Sequence, residues 1–308
     1  MNFPSLMLGE FKKNSFTFLH HDYQGCTLLA KGRLYMKYWR VRSRRFLLVC
    51  MLVVVLVLSG CSTLNRQSGH LFQVSLLNAL LLGEYDGFLP VEDLKRYGDI
   101  GIGTFDTLDG EMILLDGTVY QAKADGTVLP VGDSIMIPFA MATHFSPTLG
   151  AKSLSSISGI EALKTSLDRM ISSTTNDFNR FYVVKLEGSF SHVRIRSVPA
   201  QEKPYQRLAT IAASQKEYVL QQVDGSIVAF RCPDYVQGIN MPGWHLHFLS
   251  SDTLKGGHLL EVDVQEAELE MGDMKEYTLV LPDSESFAAM DIAHDLSKET
   301  QAVEGIRK

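Results

Sequence analysis

Three histidines lie close together in the chain, with a spacing that suits a metal ion. His245 and His247 alternate with apolar residues in the segment 243–248, and His258 follows a short polar stretch that ends in two glycines. The alternation predicts a strand, in which His245 and His247 share one face roughly 7 Å apart. The polar stretch predicts a hairpin loop that returns His258 beside them. Three neutral imidazoles with an open fourth position are the usual plan of a catalytic zinc site.

A purely structural role for these histidines has to be weighed against the metal site. A single histidine on a strand face is usually a structural or surface residue. Three histidines within fourteen residues, on a strand-loop-strand pattern, favour a metal site instead. The spacing leaves the chemistry open, because other metal enzymes on β scaffolds also combine a His-x-His pair with a distant third histidine.

The charge of the chain is distributed unevenly along its 308 residues. Residues 1–60 hold nine of the 29 Lys and Arg residues but only two of the 35 Asp and Glu residues. The rest of the chain is therefore strongly acidic, which argues against nucleic acid as a partner, because phosphate binding needs a basic face. A hydrophobic content of 45% is enough to bury a sizeable core in one or two domains.

The amino-terminal segment predicts export and a lipid anchor. Three arginines at positions 42, 44 and 45 precede a thirteen-residue apolar run, residues 46–58. That run is short for a membrane span, which needs about 20 apolar residues, and suits a signal peptide. Leu58-Ser59-Gly60-Cys61 resembles the lipobox of bacterial lipoproteins, in which the cysteine is lipidated. The sequence thus predicts a chain anchored to a bacterial membrane at Cys61; an uncleaved anchor and a cytoplasmic location are the alternatives, and the start is Met1 or Met36.

Between the signal segment and the histidines, the pattern indicates β-structure with a few helices. Asp-Gly pairs at 109–110, 116–117 and 125–126 separate short apolar runs and predict a β-meander over residues 100–146. Apolar residues at helical spacing predict an amphipathic helix over 160–171.

Three further segments complete this interpretation. Residues 71–82 are apolar and compatible with a helix, and residues 181–186 and 190–198 predict two strands. Arg194 and Arg196 share one face of the second of these strands, a pattern that is more typical of a solvated face than of a site.

Several separated motifs together resemble the α-acetolactate decarboxylase family over about residues 71–305. In chain order they are YGDIGIGTF at 97–105 with LDGE at 108–111, RSV at 196–198 with QEKPY at 201–205, WHLHF at 244–248 with GGH at 256–258, and VEG at 303–305. Residues 1–60 lie outside the resemblance, and the export signal is where this chain departs from a cytosolic version.

The resemblance implies a fold, an activity and a set of site residues. The fold would be α/β (α+β), with two domains built on mixed, largely antiparallel β-sheets with flanking helices. The activity would be zinc-dependent decarboxylation of 2-acetolactate to acetoin and carbon dioxide, with no organic cofactor. Zinc would be held by the three histidines, and a homodimer is left open. The residues implied around the substrate are Glu111, Arg196 and Glu304.

The interpretation divides the chain into four parts. They are an extension with the signal peptide at 1–60, a tether at 61–70, an amino-terminal β-sheet domain at 71–200, and a carboxy-terminal metal-binding domain with its tail at 201–308. Two other functions remain open: an exported zinc-binding lipoprotein without activity, and a zinc hydrolase that uses bound hydroxide. The first would need the histidines but not Glu111, Arg196 or Glu304.

Overall fold

A computed structural model of the chain describes residues 68–303. The signal segment, Cys61 and Glu304 lie outside the described residues. The strands are β1 His70–Val74, β2 Leu89–Pro90, β3 Ile100–Thr104, β4 Glu111–Leu115, β5 Thr118–Ala122, β6 Val128–Pro130, β7 Met136–Ile137, β8 Phe139–Thr143, β9 Ala151–Ser158, β10 Phe181–Ser197, β11 Lys216–Cys232, β12 Gly243–Ser250, β13 Gly256–Met274 and β14 Glu276–Val280. The helices are α1 Leu77–Leu82, α2 Val91–Leu94, α3 Ile160–Thr174, α4 Leu208–Ala212, α5 Glu285–Ala289 and α6 Ser297–Val303.

Seven strands form the first sheet, in the order β14-β1-β8-β3-β4-β5-β6. Strands β3 to β6 form the predicted meander over residues 100–130, and each Asp-Gly pair lies in a turn between neighbouring strands. The prediction extended to residue 146, but β8 does not continue the meander, because it pairs with β1 and β3. The edge strand β14 pairs with β1 in the parallel direction, whereas the other pairings of this sheet are antiparallel. The predicted α+β fold with mixed, largely antiparallel sheets is therefore confirmed.

The second sheet carries the three histidines. Its order is β10-β11-β12-β13-β9, and β10 also pairs with β13, so four of the strands close into a ring of pairings. Helix α3 packs against this sheet with Leu163, Leu167 and Ile171, as its helical spacing predicts. The opposite face packs on the first sheet, where Phe230 and Leu249 meet Ile113.

The structure differs from the sequence prediction in one pair of strands and in the start of one helix. The strands predicted at 181–186 and 190–198 are one strand, β10, because Gly188 lies in register between β11 and β13 rather than in a turn. The helix predicted over 71–82 begins only at Leu77, because residues 70–74 pair between β8 and β14. Continuous apolar runs fit a buried strand as well as a buried helix, so the pattern alone cannot separate the two.

Strand pairing continues across the boundary that the sequence predicts between residues 200 and 201. Strand β10 lies before that position, and its partners β11 and β13 lie after it. The histidine sheet therefore includes β9 and β10, which precede this boundary, as well as β11, β12 and β13, which follow it. The described residues belong to one compact unit, and none of their helices is long and apolar enough to cross a membrane.

Candidate active site

The β12–β13 hairpin places the three predicted histidines around one point. His247 pairs directly with His258 across the hairpin, and His245 lies two residues away on the same face of β12. The Nε2 atoms of His247 and His245 are 3.2 Å apart, and His245 Nε2 lies 3.1 Å from His258 Nδ1. Each histidine offers one ring nitrogen, and the three atoms lie within 4.8 Å of one another. Among residues 68–303, these histidines are the group whose ligand atoms converge in this way.

The orientation of His247 is fixed by the other sheet. Its Nδ1–H donates to the carbonyl oxygen of Met112, on β4, at 2.8 Å. A carbonyl can only accept, so the lone pair of this imidazole lies on Nε2, the atom that faces His245. A hydrogen bond from the second ring nitrogen is the arrangement that fixes tautomer and ring position in metal-binding histidines.

Burial keeps the three imidazoles neutral, which is the form that binds a metal. Desolvation, followed by the positive charge of Arg196, lowers the pKa of His245 to about 3. Desolvation also holds the pKa values of His247 and His258 well below the usual range. At neutral pH each imidazole therefore keeps one ring nitrogen with a free lone pair, and the three residues fit a metal ion.

Arg196 comes beside the histidines through the sheet register. It pairs with His258 across β10 and β13, directly after a register shift between Arg194 and Ile195. The side chain is 4% exposed. Its Nη1 donates to Gln215 Oε1 at 2.9 Å, while its buried Nε has no hydrogen-bond partner among the described residues. A buried guanidinium with an unused donor favours an anionic ligand.

Glu111 enters from the first sheet. It is the first residue of β4, directly before Met112, and its Oε2 lies 3.6 Å from His247 Nε2. The carboxylate is 12% exposed. The side chain thus lies at the metal-binding end of the histidine cluster, although Glu111 is more than a hundred residues away in the chain.

One pocket contains most of these groups. Its polar lining is formed by Glu111, Arg196, His245, His258 and Thr104. Its apolar wall comes mainly from the helices α1, α4 and α6, with Leu77, Leu80, Leu208 and Val303 among its members. The structure therefore brings together five of the six predicted site residues, and the sixth, Glu304, lies outside the described residues. The roles of all six stay predictions.

Two contributors to the pocket have no chemical signal in the sequence. Thr104 is buried and donates its hydroxyl to the carbonyl of Gly110 at 2.7 Å, so its oxygen can still accept a hydrogen bond. The apolar wall comes from three helices that are distant in the chain. A threonine at the end of a strand and leucines in short helices are ordinary core residues, so only the fold gives them this place.

Gly257 allows β10 and β13 to approach closely beside the site. A Cβ atom at this position would lie 2.5 Å from the carbonyl oxygen of Arg196. Replacing Gly257 by alanine should therefore push the two strands apart and lower the free energy of unfolding by about 1–3 kcal/mol. Urea unfolding followed by circular dichroism measures the change. Gly132→Ala is the control, because a Cβ there meets nothing within 4 Å. Equal stability of wild type and Gly257→Ala would show that a side chain at position 257 does not force the two strands apart.

The fold and this site define a class: a mixed α+β protein with a buried three-histidine cluster, suited to a metal ion, beside a pocket that carries a guanidinium and a carboxylate. Comparison with known proteins then gives the family. A family model described as Alpha-acetolactate decarboxylase matches residues 71–294. The chain belongs to the alpha-acetolactate decarboxylase family.

Individual relatives agree with this assignment. An alpha-acetolactate decarboxylase from Methanosarcina mazei is 42% identical over 240 residues, which cover 78% of this chain and 82% of the relative. One from Brevibacillus brevis is 36% identical over 238 residues, 77% of this chain and 82% of the relative. The crystal structure of alpha-acetolactate decarboxylase from Bacillus subtilis strain 168 superposes with a TM-score of 0.73 at 32% identity, over 76% of this chain and 99% of that one.

Proposed function

We propose that this protein decarboxylates 2-acetolactate to acetoin and carbon dioxide. The observation that carries the proposal is the register of β13, which places His258 between His247 on one side and Arg196 on the other. A buried cation beside a metal-binding cluster suits a small substrate with a carboxylate and neighbouring oxygen groups. Acetolactate has this chemistry, since its carboxylate, hydroxyl and ketone lie on adjacent carbons.

The residues of the pocket have distinct tasks in this reaction. Arg196 orients the substrate carboxylate through its fork of donors. When the bond to the carboxylate breaks, carbon dioxide leaves and the electron pair moves toward the ketone oxygen, giving an enediolate. When bound, zinc would supply a Lewis acid for this developing negative charge. The apolar wall of the pocket excludes water from the reacting carbons.

A proton must then be delivered to carbon to give acetoin. Arg196 is a poor source, because a guanidinium holds its protons too firmly to act as an acid. The carboxyl of Glu111, which lies 3.6 Å from His247 Nε2, is a better candidate. Glu304 and a water molecule are the alternatives.

Acetoin formation from acetolactate by the purified protein tests this proposal. We expect turnover that disappears when the metal is removed with a chelator and returns when zinc is added. Ester hydrolysis or carbon dioxide hydration without acetoin would indicate a zinc hydrolase, and bound zinc without any turnover would indicate a storage protein. Either outcome would overturn the proposal.

The choice of zinc is a proposal of its own. Three imidazoles are a common ligand set of catalytic zinc, but they also bind copper, iron and nickel. Elemental analysis of protein purified without added metal tests the choice. About one zinc per chain is expected, and another transition metal at that level would overturn it.

We also propose that the protein is exported and anchored to a bacterial membrane by lipid on Cys61, as supported by Leu58-Ser59-Gly60-Cys61. Wild-type protein should then fractionate with membranes, and its mass should reflect the loss of residues 1–60 and the gain of lipid. Cys61→Ser should lose the lipid and accumulate unprocessed. Cys232→Ser is the matched control, because Cys232 is buried in the core. Unprocessed wild-type protein in the soluble fraction would contradict the anchor.

We also propose that the protein assembles as a homodimer. Light scattering on the purified protein gives the mass in solution directly. A mass of one chain at micromolar concentration would overturn this proposal without affecting the proposed reaction.

A further inference from the structure

The carboxy-terminal helix α6 closes one side of the pocket. Its last residue, Val303, lines the pocket together with Leu208, the first residue of α4. Both side chains are buried, and so are Thr300 on α6 and Leu296, the residue directly before the helix. The wall of the pocket therefore depends on how firmly this short helix is held against α4.

An ion pair joins the two helices beside that wall. Nη1 of Arg207, the residue before α4, lies 2.6 Å from Glu299 Oε1 on α6. The Glu299 side chain is 26% exposed and that of Arg207 is 54% exposed, while the second Glu299 oxygen, Oε2, is buried with no hydrogen-bond partner among the described residues. Without Arg207, this partly buried carboxylate would lose its counter-charge. Because one oxygen of this carboxylate is buried, removing Arg207 should cost more than breaking an ion pair in which both groups are fully in solvent.

We propose that Arg207 and Glu299 are positioning residues that hold α6 over the pocket, and thereby set its affinity for the substrate. This inference rests on the proposed decarboxylase function for its kinetic consequence. Neither side chain lines the pocket, so the pair acts through Val303 and the docked helix. Seven residues are too few to form a stable helix alone in water, which makes tertiary contacts the main support of α6.

The kinetic consequence follows from the populations of docked and undocked helix. If only the docked form binds substrate well, the apparent affinity falls in proportion to the docked fraction. Bound substrate favours the docked form again, so the chemical step proceeds from the same arrangement. Weakening the pair should therefore raise KM and leave kcat nearly unchanged.

The test is Arg207→Met in the full chain, loaded with zinc and compared with wild type. We expect KM for acetolactate to rise about tenfold, which corresponds to about 1.4 kcal/mol, with kcat within about twofold and unchanged zinc content. Amide hydrogen exchange across residues 297–303 should become faster in the absence of substrate. The double variant Arg207→Glu with Glu299→Arg, which reverses the pair, should recover most of the lost affinity.

Two comparisons distinguish the positioning role from a general effect of losing an ion pair and from failure of the proposed reaction. Lys95→Met breaks an exposed ion pair with Asp133 away from the pocket, and should change neither KM nor exchange in α6. Wild-type protein without turnover would refute the proposed function. Amide hydrogen exchange in α6 would still show, in that case, whether the Arg207–Glu299 ion pair holds the helix in place. Active wild type together with an unchanged KM and unchanged exchange in Arg207→Met would overturn the positioning role, as would equal losses in kcat and zinc content.

Discussion

Replacing His247 by alanine should abolish stoichiometric metal binding and turnover together. His247 is 1% exposed, and its Nε2 atom faces both His245 and Glu111. Loss of a partner beyond the ligands typically costs roughly 10–100-fold in metal affinity, so the loss of a ligand itself should cost more. Elemental analysis after dialysis and an acetoin assay on the same sample measure the two effects.

A histidine on another strand of the same sheet provides the control for this prediction. His192 lies on β10, where its Nδ1 contacts Gln221 Nε2 at 3.0 Å, outside the metal-binding group. His192→Ala should keep its metal and its activity. A His247→Ala protein that retained about one metal per chain and wild-type turnover would show that the three-histidine assignment is wrong.

Replacing Arg196 by lysine should leave the metal in place and lower turnover strongly. Lysine keeps the charge but loses the planar fork that can hold a carboxylate with two hydrogen bonds. Because a misplacement of about 1 Å can cost roughly 100-fold in rate, we expect kcat/KM to fall by about that factor, with kcat and KM both affected. Zinc content, kcat and KM of the purified variant measure this.

A control variant shows whether the loss of turnover is specific to Arg196. Arg194→Lys changes the arginine two residues earlier, which forms ion pairs with Glu217 and Glu261 outside the pocket, and should retain wild-type kinetics.

Glu111→Gln removes a titrating group but keeps its size, so it should lower kcat more than it raises KM. Wild-type rates across the pH range in Glu111→Gln would move the proton donor to Glu304 or to water.

The pair of arginines shows where sequence patterns stop being informative. Arg194 and Arg196 have the same residue type and the same strand periodicity, and the pattern is typical of a solvated face for both. In the structure Arg194 is held in exposed ion pairs, whereas Arg196 is buried in the pocket. The register shift after Arg194 sets the pairing of Arg196 with His258. Bulges depend on how two distant strands pair, so local propensity does not predict them.

The sequence by itself determined the three-histidine hairpin, the β-meander and the helix over 160–171. Each of these depends on contacts between residues that are near in the chain, and the periodicity of side chains already fixes such contacts. The family motifs identified Glu111 and Arg196 as site residues, but they did not show where these two side chains lie relative to the histidines. Only the tertiary structure brought β4 against β12, where the carbonyl of Met112 orients His247 and Glu111 reaches the cluster. That arrangement depends on the packing of two sheets from distant parts of the chain, which no local pattern encodes.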